Sequence, residues 1–196
     1  MEVDTPHGTA RAFLHPARKP RAAVVLGHGA GGGVEAPDLV AATEAALEER
    51  CTVALVEQPY RVAGRRSPAT AKQLEAAWIS VVDHLRAGEL RGLPLVVGGR
   101  SLGARVACRT TEATGAVAVL CLAFPLQPRR AGSVSRLPEL DAVEVPTLVV
   151  QGARDPFGIP PPGALRTVVP VQGDHSLRTD LQAVVDAVRA WLPGVI

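Results

Sequence analysis

The segment that most constrains the fold of this chain is Gly99-Arg100-Ser101-Leu102-Gly103, which has the form G-x-S-x-G. The apolar run 95–97 precedes it, and the helix-forming residues 104–111 follow it. In this context the pattern indicates a strand, a very sharp turn and a helix, with glycines preventing collisions around a strained serine. We therefore expect Ser101 at the carboxyl end of a strand; the alternative is a fortuitous turn in a glycine-rich chain.

Hydrophobic periodicity predicts alternating strands and helices. The apolar runs typical of strands are 9–14 at an edge, then 22–26, 52–56, 95–97, 117–124, 147–151 and 167–171. The other predicted helices are 37–49, 67–87 with a Ser67-Pro68 start, and 179–192 with a Thr179-x-x-Gln182 start. Buried strands separated by helices predict an α/β fold, with a mostly parallel sheet of about six or seven strands and helices on both faces.

The bulk properties favour one globular domain, residues 1–196. Apolar residues make up 47% of the chain, which excludes a mainly disordered protein. The net charge of +2 and the lack of long charge runs predict no nucleic-acid partner. The longest apolar run, 116–126, is too short to cross a membrane, and the N-terminus does not resemble a signal peptide.

Cys51, Cys108 and Cys121 are an odd number of cysteines in apolar surroundings, without the spacing of metal ligands. Buried reduced thiols are typical of cytoplasmic proteins, so we expect a cytoplasmic location and no metal site. The oligomeric state stays open.

The longest connection without periodicity is 127–145. Loops of this length are often functional. This one is mostly polar and too short for a helical lid with its own apolar face. We therefore expect no cap domain, and an open site for short or water-soluble substrates.

A serine nucleophile needs a base, and the base needs an orienting carboxylate. On a sheet with this kind of turn, the acid and then the histidine follow later strands. Asp155 follows the strand 147–151, and His175 follows the strand 167–171. The sequence therefore predicts a triad of Ser101, Asp155 and His175.

Each assignment has an alternative. Asp155 precedes Pro156 and could simply begin a turn. Asp174 and Asp141 are rival acids, although Asp174 adjoins His175 and would point away from it, and Asp141 precedes its strand. His28 precedes a glycine turn, where a histidine is more often structural than a base. The other histidines lie near the terminus or within a helix: His7, His15 and His84.

The glycine stretch 27–33 follows the first buried parallel strand. A phosphate-binding loop would need a lysine that is not present there. The loop is better placed to supply a second amide to an oxyanion hole, and Ala30 is the best candidate to pair with Leu102.

Six stretches carry a family resemblance: 27–32, 59–60 with 64–66, 98–105, 124–126, 154–158 and 173–177. On these residues the chain resembles the small α/β-hydrolases of the dienelactone-hydrolase-like kind. More narrowly, it is similar to bacterial relatives of the testis-expressed and non-specific-lethal-complex-subunit hydrolase-like family. The resemblance implies the α/β-hydrolase fold and the same triad. The chain departs from the family at 127–130, and at 160–162, where prolines interrupt a usual helix.

The leading hypothesis is a serine hydrolase of small-molecule esters or thioesters. His175 would deprotonate Ser101, Asp155 would hold the imidazole, and two amides would stabilise the oxyanion, without metal or organic cofactor. The second hypothesis is a catalytically silent scaffold or protein-binding module, because some eukaryotic relatives serve as complex subunits.

Substrate contacts are expected from Tyr60, Arg65, Arg66, Arg100, Phe124 and Phe157. Arginines also gather in loops at the catalytic end of the predicted sheet: Arg61, Arg65, Arg66, Arg100, Arg129, Arg130 and Arg154. Because a cleft of one charge attracts the opposite charge, this predicts an anionic group near the scissile bond. The alternative is that these arginines brace the loops or are solvated.

Overall fold

The computed structural model describes residues 1–129 and 132–196, which form a sheet between layers of helices. The strands are β1 (Glu2–Thr5), β2 (Gly8–His15), β3 (Ala22–Gly27), β4 (Cys51–Glu57), β5 (Leu95–Arg100), β6 (Ala118–Leu122), β7 (Thr147–Gly152) and β8 (Arg166–Val171). Among these residues the sheet has eight strands in the order β1-β2-β4-β3-β5-β6-β7-β8. The strands from β4 to β8 in this order run parallel, and β1 and β2 form an antiparallel hairpin beside β4.

Helices cover both faces of the sheet. They are α1 (Pro37–Glu48), α2 (Pro59–Val62), α3 (Ala71–Ala87), α4 (Leu102–Arg109), α5 (Thr111–Thr114), α6 (Leu137–Asp141) and α7 (Leu181–Trp191), followed by a 3₁₀ turn at Leu192–Gly194. One buried cluster contains Leu39 of α1 and Val184 of α7, and the other contains Trp78 of α3 and Val106 of α4. The predicted α/β fold with a mostly parallel sheet is therefore confirmed.

The sheet exceeds the predicted six or seven strands because residues 2–5 form β1. Glu2 pairs with Arg11, so β2 lies between β1 and β4 and is not the edge strand that we expected. The pattern of β1 has one buried residue, Val3, among polar neighbours. Such a short strand leaves almost no hydrophobic signal in the sequence.

Two helices begin later than their predicted start signals. α3 begins after Thr70, whose amide donates to the Gln73 side chain at 3.2 Å, and not at 67–68. α7 begins after Asp180, whose carboxylate accepts from the Ala183 amide at 3.1 Å, and not one residue earlier. In both cases a second capping signal lies close to the first and replaces it.

The connections near the β8 edge of the sheet contain little regular structure. Between β6 and β7, the described residues contain only the helix α6, so no cap domain lies over this part of the sheet, as predicted. Residues 153–165 run from β7 to β8 without a helix. β8 pairs with β7, and its Pro170 lies opposite Gln151 in the register.

α4 packs so closely on β3 that a Cβ atom at Gly103 would overlap the carbonyl oxygen of Gly27. We predict that Gly103→Ala lowers the free energy of unfolding by about 1–3 kcal/mol, because either the helix or the strand must move. Urea unfolding followed by circular dichroism measures this change. Gly194→Ala is the control, because a Cβ there meets no atom within 4 Å. Equal stability of the two variants would contradict the prediction.

Candidate active site

Ser101 lies on the turn between β5 and α4 in a backbone conformation that non-glycine residues rarely adopt. Its φ and ψ are +51° and −102°, a strain that typically costs about 1–3 kcal/mol. The turn is tight because Gly99, with φ +154°, lies against the backbone of Gly27. The Ser101 amide donates to the Leu122 carbonyl oxygen of β6 at 2.9 Å, which holds the turn on the sheet.

Side chains from three loops form a hydrogen-bonded row at the carboxyl ends of the parallel strands. Ser101 Oγ lies 3.0 Å from His175 Nε2, and His175 Nδ1 lies 2.8 Å from Asp155 Oδ2. A carboxylate can only accept, so Nδ1 carries the proton and Nε2 is free to accept from the serine hydroxyl. The Asp155 side chain is fully buried, and that of His175 is 18% exposed. The structure thus brings the three residues of the predicted triad together.

Asp155 also begins a local turn, which was the alternative interpretation of this residue. Its Oδ1 accepts from the Phe157 amide at 2.8 Å, and its carbonyl oxygen accepts from the Gly158 amide at 3.0 Å. Its Oδ2 accepts from Gln151 Nε2 at 2.8 Å as well as from His175. One oxygen therefore fixes the local loop, while the other faces the histidine.

The rival acids bind other partners. The Asp174 carboxylate accepts from the amide and the hydroxyl of Ser176 at 2.9 and 2.7 Å, and these bonds lower its pKa. Asp141 forms an ion pair with Arg166 at 2.9 Å. Within the described residues, neither carboxylate accepts a hydrogen bond from His175.

The two amides expected for an oxyanion hole belong to Leu102 and Ala30. Leu102 is the first residue of α4, where a backbone N–H has no partner inside the helix. Ala30 follows β3, and its carbonyl oxygen accepts from the Tyr60 hydroxyl at 3.0 Å. Burial raises the pKa of Tyr60 to about 12, so its hydroxyl remains a donor. Within the described residues, no hydrogen bond uses either amide.

His28 anchors the glycine loop. Its Nδ1 donates to the Gly29 carbonyl oxygen at 2.8 Å, and its Nε2 accepts from the Gln58 amide at 3.1 Å. Burial lowers the pKa of this imidazole, which keeps it neutral. The contacts tie the start of the loop to the end of β4, in agreement with the structural interpretation of His28.

Arg100 ties the histidine loop to α1. Its Nε forms an ion pair with Asp38 Oδ2 at 3.0 Å, and its Nη2 donates to the His175 carbonyl oxygen at 3.0 Å. Burial raises the pKa of the Asp38 carboxyl, and the Arg100 charge opposes that rise. Arg100 therefore braces the loops, which was the alternative to its expected substrate contact.

The other expected substrate contacts have different surroundings. Phe124 is completely buried, so the expectation of a direct contact is wrong for this residue. The reason lies in the turn after β6: Ala123 has φ +51°, and Phe124 joins the core cluster of α3. Tyr60 is 4% exposed and holds the glycine loop. The Phe157 ring lies 4.5 Å from the His175 ring, centroid to centroid.

The remaining arginines of the expected rim differ in their surroundings. Arg65 lines a cavity of about 390 Å³ beside Tyr60, and Arg66 is exposed next to it. Arg61 is half-buried in α2. Arg129 and Arg154 are exposed, and Arg130 lies outside the described residues.

Sequence reasoning missed Arg178. This exposed residue lines a cavity of about 230 Å³ together with Gly31, Gly32, Arg100 and Ser176. Arg100 and Ser176 adjoin Ser101 and His175 in the chain, so the cavity neighbours the hydrogen-bonded row. Within the described residues, Arg178 forms no ion pair. Its position three residues after His175 was the available signal.

Two further properties concern the described residues as a whole. Among them, no group of three or more His, Cys, Asp or Glu side chains could hold a metal ion. None of their helices combines the length and hydropathy needed to cross a membrane.

The chain belongs to the alpha/beta hydrolase domain family, whose model matches residues 20–184. None of the curated proteins compared with it matches. Among solved structures, it is similar to a lidless α/β serine hydrolase from Xanthomonas campestris, at 19% identity and a TM-score of 0.78, over 98% of this chain and 94% of that one.

Two other solved structures are similar at 16% identity. Est1E from Butyrivibrio proteoclasticus has a TM-score of 0.79, over 99% of this chain and 97% of its own. A dienelactone hydrolase from Anabaena variabilis has a TM-score of 0.78, over 100% of this chain and 96% of its own. At these identities the likeness shows the fold. The family and the fold together support a hydrolase.

The buried environment of His28 predicts an unusual titration. We expect its imidazole to stay neutral, with the proton on Nδ1, until the pH falls below 6.5, its ordinary pKa. The unfolded chain takes up this proton first, so the His28 contribution to stability is lost as the pH falls below about 6.5. Proton–nitrogen correlation spectra of the imidazoles measure the midpoint, and His28→Gln assigns the signal. A midpoint at or above 6.5 would contradict this.

Proposed function

We propose that this protein is a serine hydrolase that cleaves esters or thioesters with Ser101, His175 and Asp155. The observation that carries the proposal is the hydrogen-bonded row of these side chains at the end of the sheet. A nucleophile, a base and an orienting acid within hydrogen-bond distance are the parts that acyl transfer needs. The strained backbone of Ser101 adds support, because such strain often lies at functional sites.

The reaction would proceed in two stages. His175 Nε2 takes the hydroxyl proton as Ser101 Oγ bonds to the carbonyl carbon of the substrate, and the carbonyl oxygen becomes an anion. The amides of Ala30 and Leu102 stabilise this oxyanion. The C–O or C–S bond then breaks, and the leaving alcohol or thiol receives the proton from His175. Water repeats the sequence on the acyl-serine and releases the acid, while Asp155 stays ionised throughout.

We place the chain with the bacterial testis-expressed and non-specific-lethal-complex-subunit relatives, as one domain over residues 1–196, in the cytoplasm. The support for the location is that Cys51, Cys108 and Cys121 are buried free thiols. The hydrolysis needs no metal or organic cofactor.

The substrate of this hydrolase carries an anionic group near the scissile bond. The cavity lined by Arg178, Arg100 and Ser176 supports this assignment. Asp38 is also in its lining but is paired with Arg100, which leaves the Arg178 charge to attract an anion. Arginine binds carboxylate or phosphate through parallel hydrogen bonds.

The proposal predicts that Ser101→Ala abolishes most hydrolysis of a p-nitrophenyl ester. Loss of the nucleophile removes the covalent step, which typically costs several orders of magnitude in kcat. A fluorophosphonate probe should label the wild-type protein at Ser101 and leave the variant unlabelled. Unchanged turnover by Ser101→Ala would refute the triad, and an unlabelled, inactive wild-type protein would favour the silent scaffold.

The proposed anionic group of the substrate leads to a separate prediction. An ester with a carboxylate beside the scissile bond should be hydrolysed faster than its neutral analogue at low salt, and the difference should shrink as salt screens it. Arg178→Gln should reduce the preference. Arg91→Gln, an exposed charge before β5 at the opposite end of the sheet, is the matched control. Equal turnover of both esters at every salt concentration would exclude an anionic preference.

A further inference from the structure

Gln151 lies near the end of β7, and its side chain is fully buried. Its Nε2 lies 2.8 Å from Asp155 Oδ2, 3.1 Å from the Phe124 carbonyl oxygen and 2.9 Å from the Gly158 carbonyl oxygen. Oδ2 is the same carboxylate oxygen that faces His175 Nδ1. The amide of Gln151 therefore shares one oxygen of Asp155 with the histidine.

The orientation of this amide is fixed by its neighbours. A flipped side chain would place Oε1 against a carboxylate and two carbonyl oxygens, all of which can only accept hydrogen bonds. The NH₂ group must therefore face Asp155. Within the described residues, Oε1 is buried and has no partner, which is unfavourable by itself. The contacts of Nε2 are what offset this cost.

We propose that Gln151 is a positioning residue that sets the charge distribution and orientation of Asp155, and through it the basicity of His175. The inference rests on the proposed hydrolase function. Hydrogen bonds donated to a carboxylate stabilise its ionised form and spread its charge. Without the Gln151 donor, the Asp155 carboxylate attracts a protonated imidazole more strongly. The histidine then keeps its proton to higher pH, and the fraction available as base decreases.

The Phe124 and Gly158 contacts give the same amide a second task. Phe124 follows β6, and Gly158 lies in the loop that begins at Asp155. Through Nε2, Gln151 therefore links the ends of β6 and β7 to the loop that begins at Asp155. Asp155 and His175 both lie outside helices and strands. The distance between the Asp155 carboxylate and His175 Nδ1 therefore depends on how Gln151 holds the Asp155 loop.

Two variants of Gln151 test the proposal. Gln151→Met removes both hydrogens with little change of shape, and Gln151→Glu keeps the shape but offers at most one proton. Thr147→Val is the matched control, because Thr147 is buried at the start of the same strand, far from the site. Within the described residues, its hydroxyl donates to the Val145 carbonyl oxygen alone, at 3.1 Å. The measurement is kcat and kcat/KM for p-nitrophenyl acetate as a function of pH.

We expect the acidic limb of the kcat/KM profile to move up by about 0.5 pH unit or more in both Gln151 variants. We also expect kcat at neutral pH to fall about tenfold, with a smaller change in KM. Thr147→Val should change neither quantity. A purely structural role would lower thermal stability and the active fraction but leave the limb in place.

The outcomes separate this inference from the hydrolase function. Folded Gln151 variants whose acidic limb coincides with that of the wild type would overturn the inference. Loss of folding in both variants, with Thr147→Val intact, would make Gln151 a residue of the fold and overturn it equally. Retained hydrolysis by Ser101→Ala would instead reject the hydrolase function. An inactive Ser101→Ala beside unshifted Gln151 variants would reject only the role of Gln151.

Discussion

The backbone contact between Gly27 and Gly103 is the constraint on which the site depends. It lets α4 start directly against β3, and Gly99 allows β5 to approach the same point. This close approach accompanies the sharp turn between β5 and α4, where Ser101 has a positive φ. The cost of that backbone conformation is met by the packing of a buried parallel sheet, which leaves the hydroxyl facing the loops of β7 and β8.

Those loops are fixed mostly by contacts that involve the backbone. The Asp155 loop closes on itself through the Phe157 amide, and the His175 loop is held by Arg100, the residue immediately before Ser101. The position of His175 therefore depends on the same turn that carries Ser101. Because Arg100 also pairs with Asp38, the start of α1 belongs to this arrangement. The geometry of the hydrogen-bonded row of Ser101, His175 and Asp155 therefore depends on four connections of one sheet.

The sequence could predict the fold and the three residues of the row because the signals are local: apolar runs, a turn pattern and chain order. It could not predict partners that depend on how loops fold back. Arg100 has the same local signature as a substrate contact, and only the position of Asp38 shows that it is paired. Phe124 is buried in the core cluster that contains Trp78, and no local signal in the sequence marks that burial. Gln151 follows a run of apolar strand residues, and the sequence does not indicate that its side chain binds Asp155.

Pro170 has a consequence for the sheet beyond the site. β8 is an edge strand, and an exposed edge is a template for pairing with another chain. A proline has no N–H to donate, so a strand arriving at this edge from another molecule loses a ladder hydrogen bond there. Pro170 thus disfavours edge-to-edge pairing of β8 with another molecule. The same residue lies opposite Gln151 of β7, the strand that leads into the loop of Asp155.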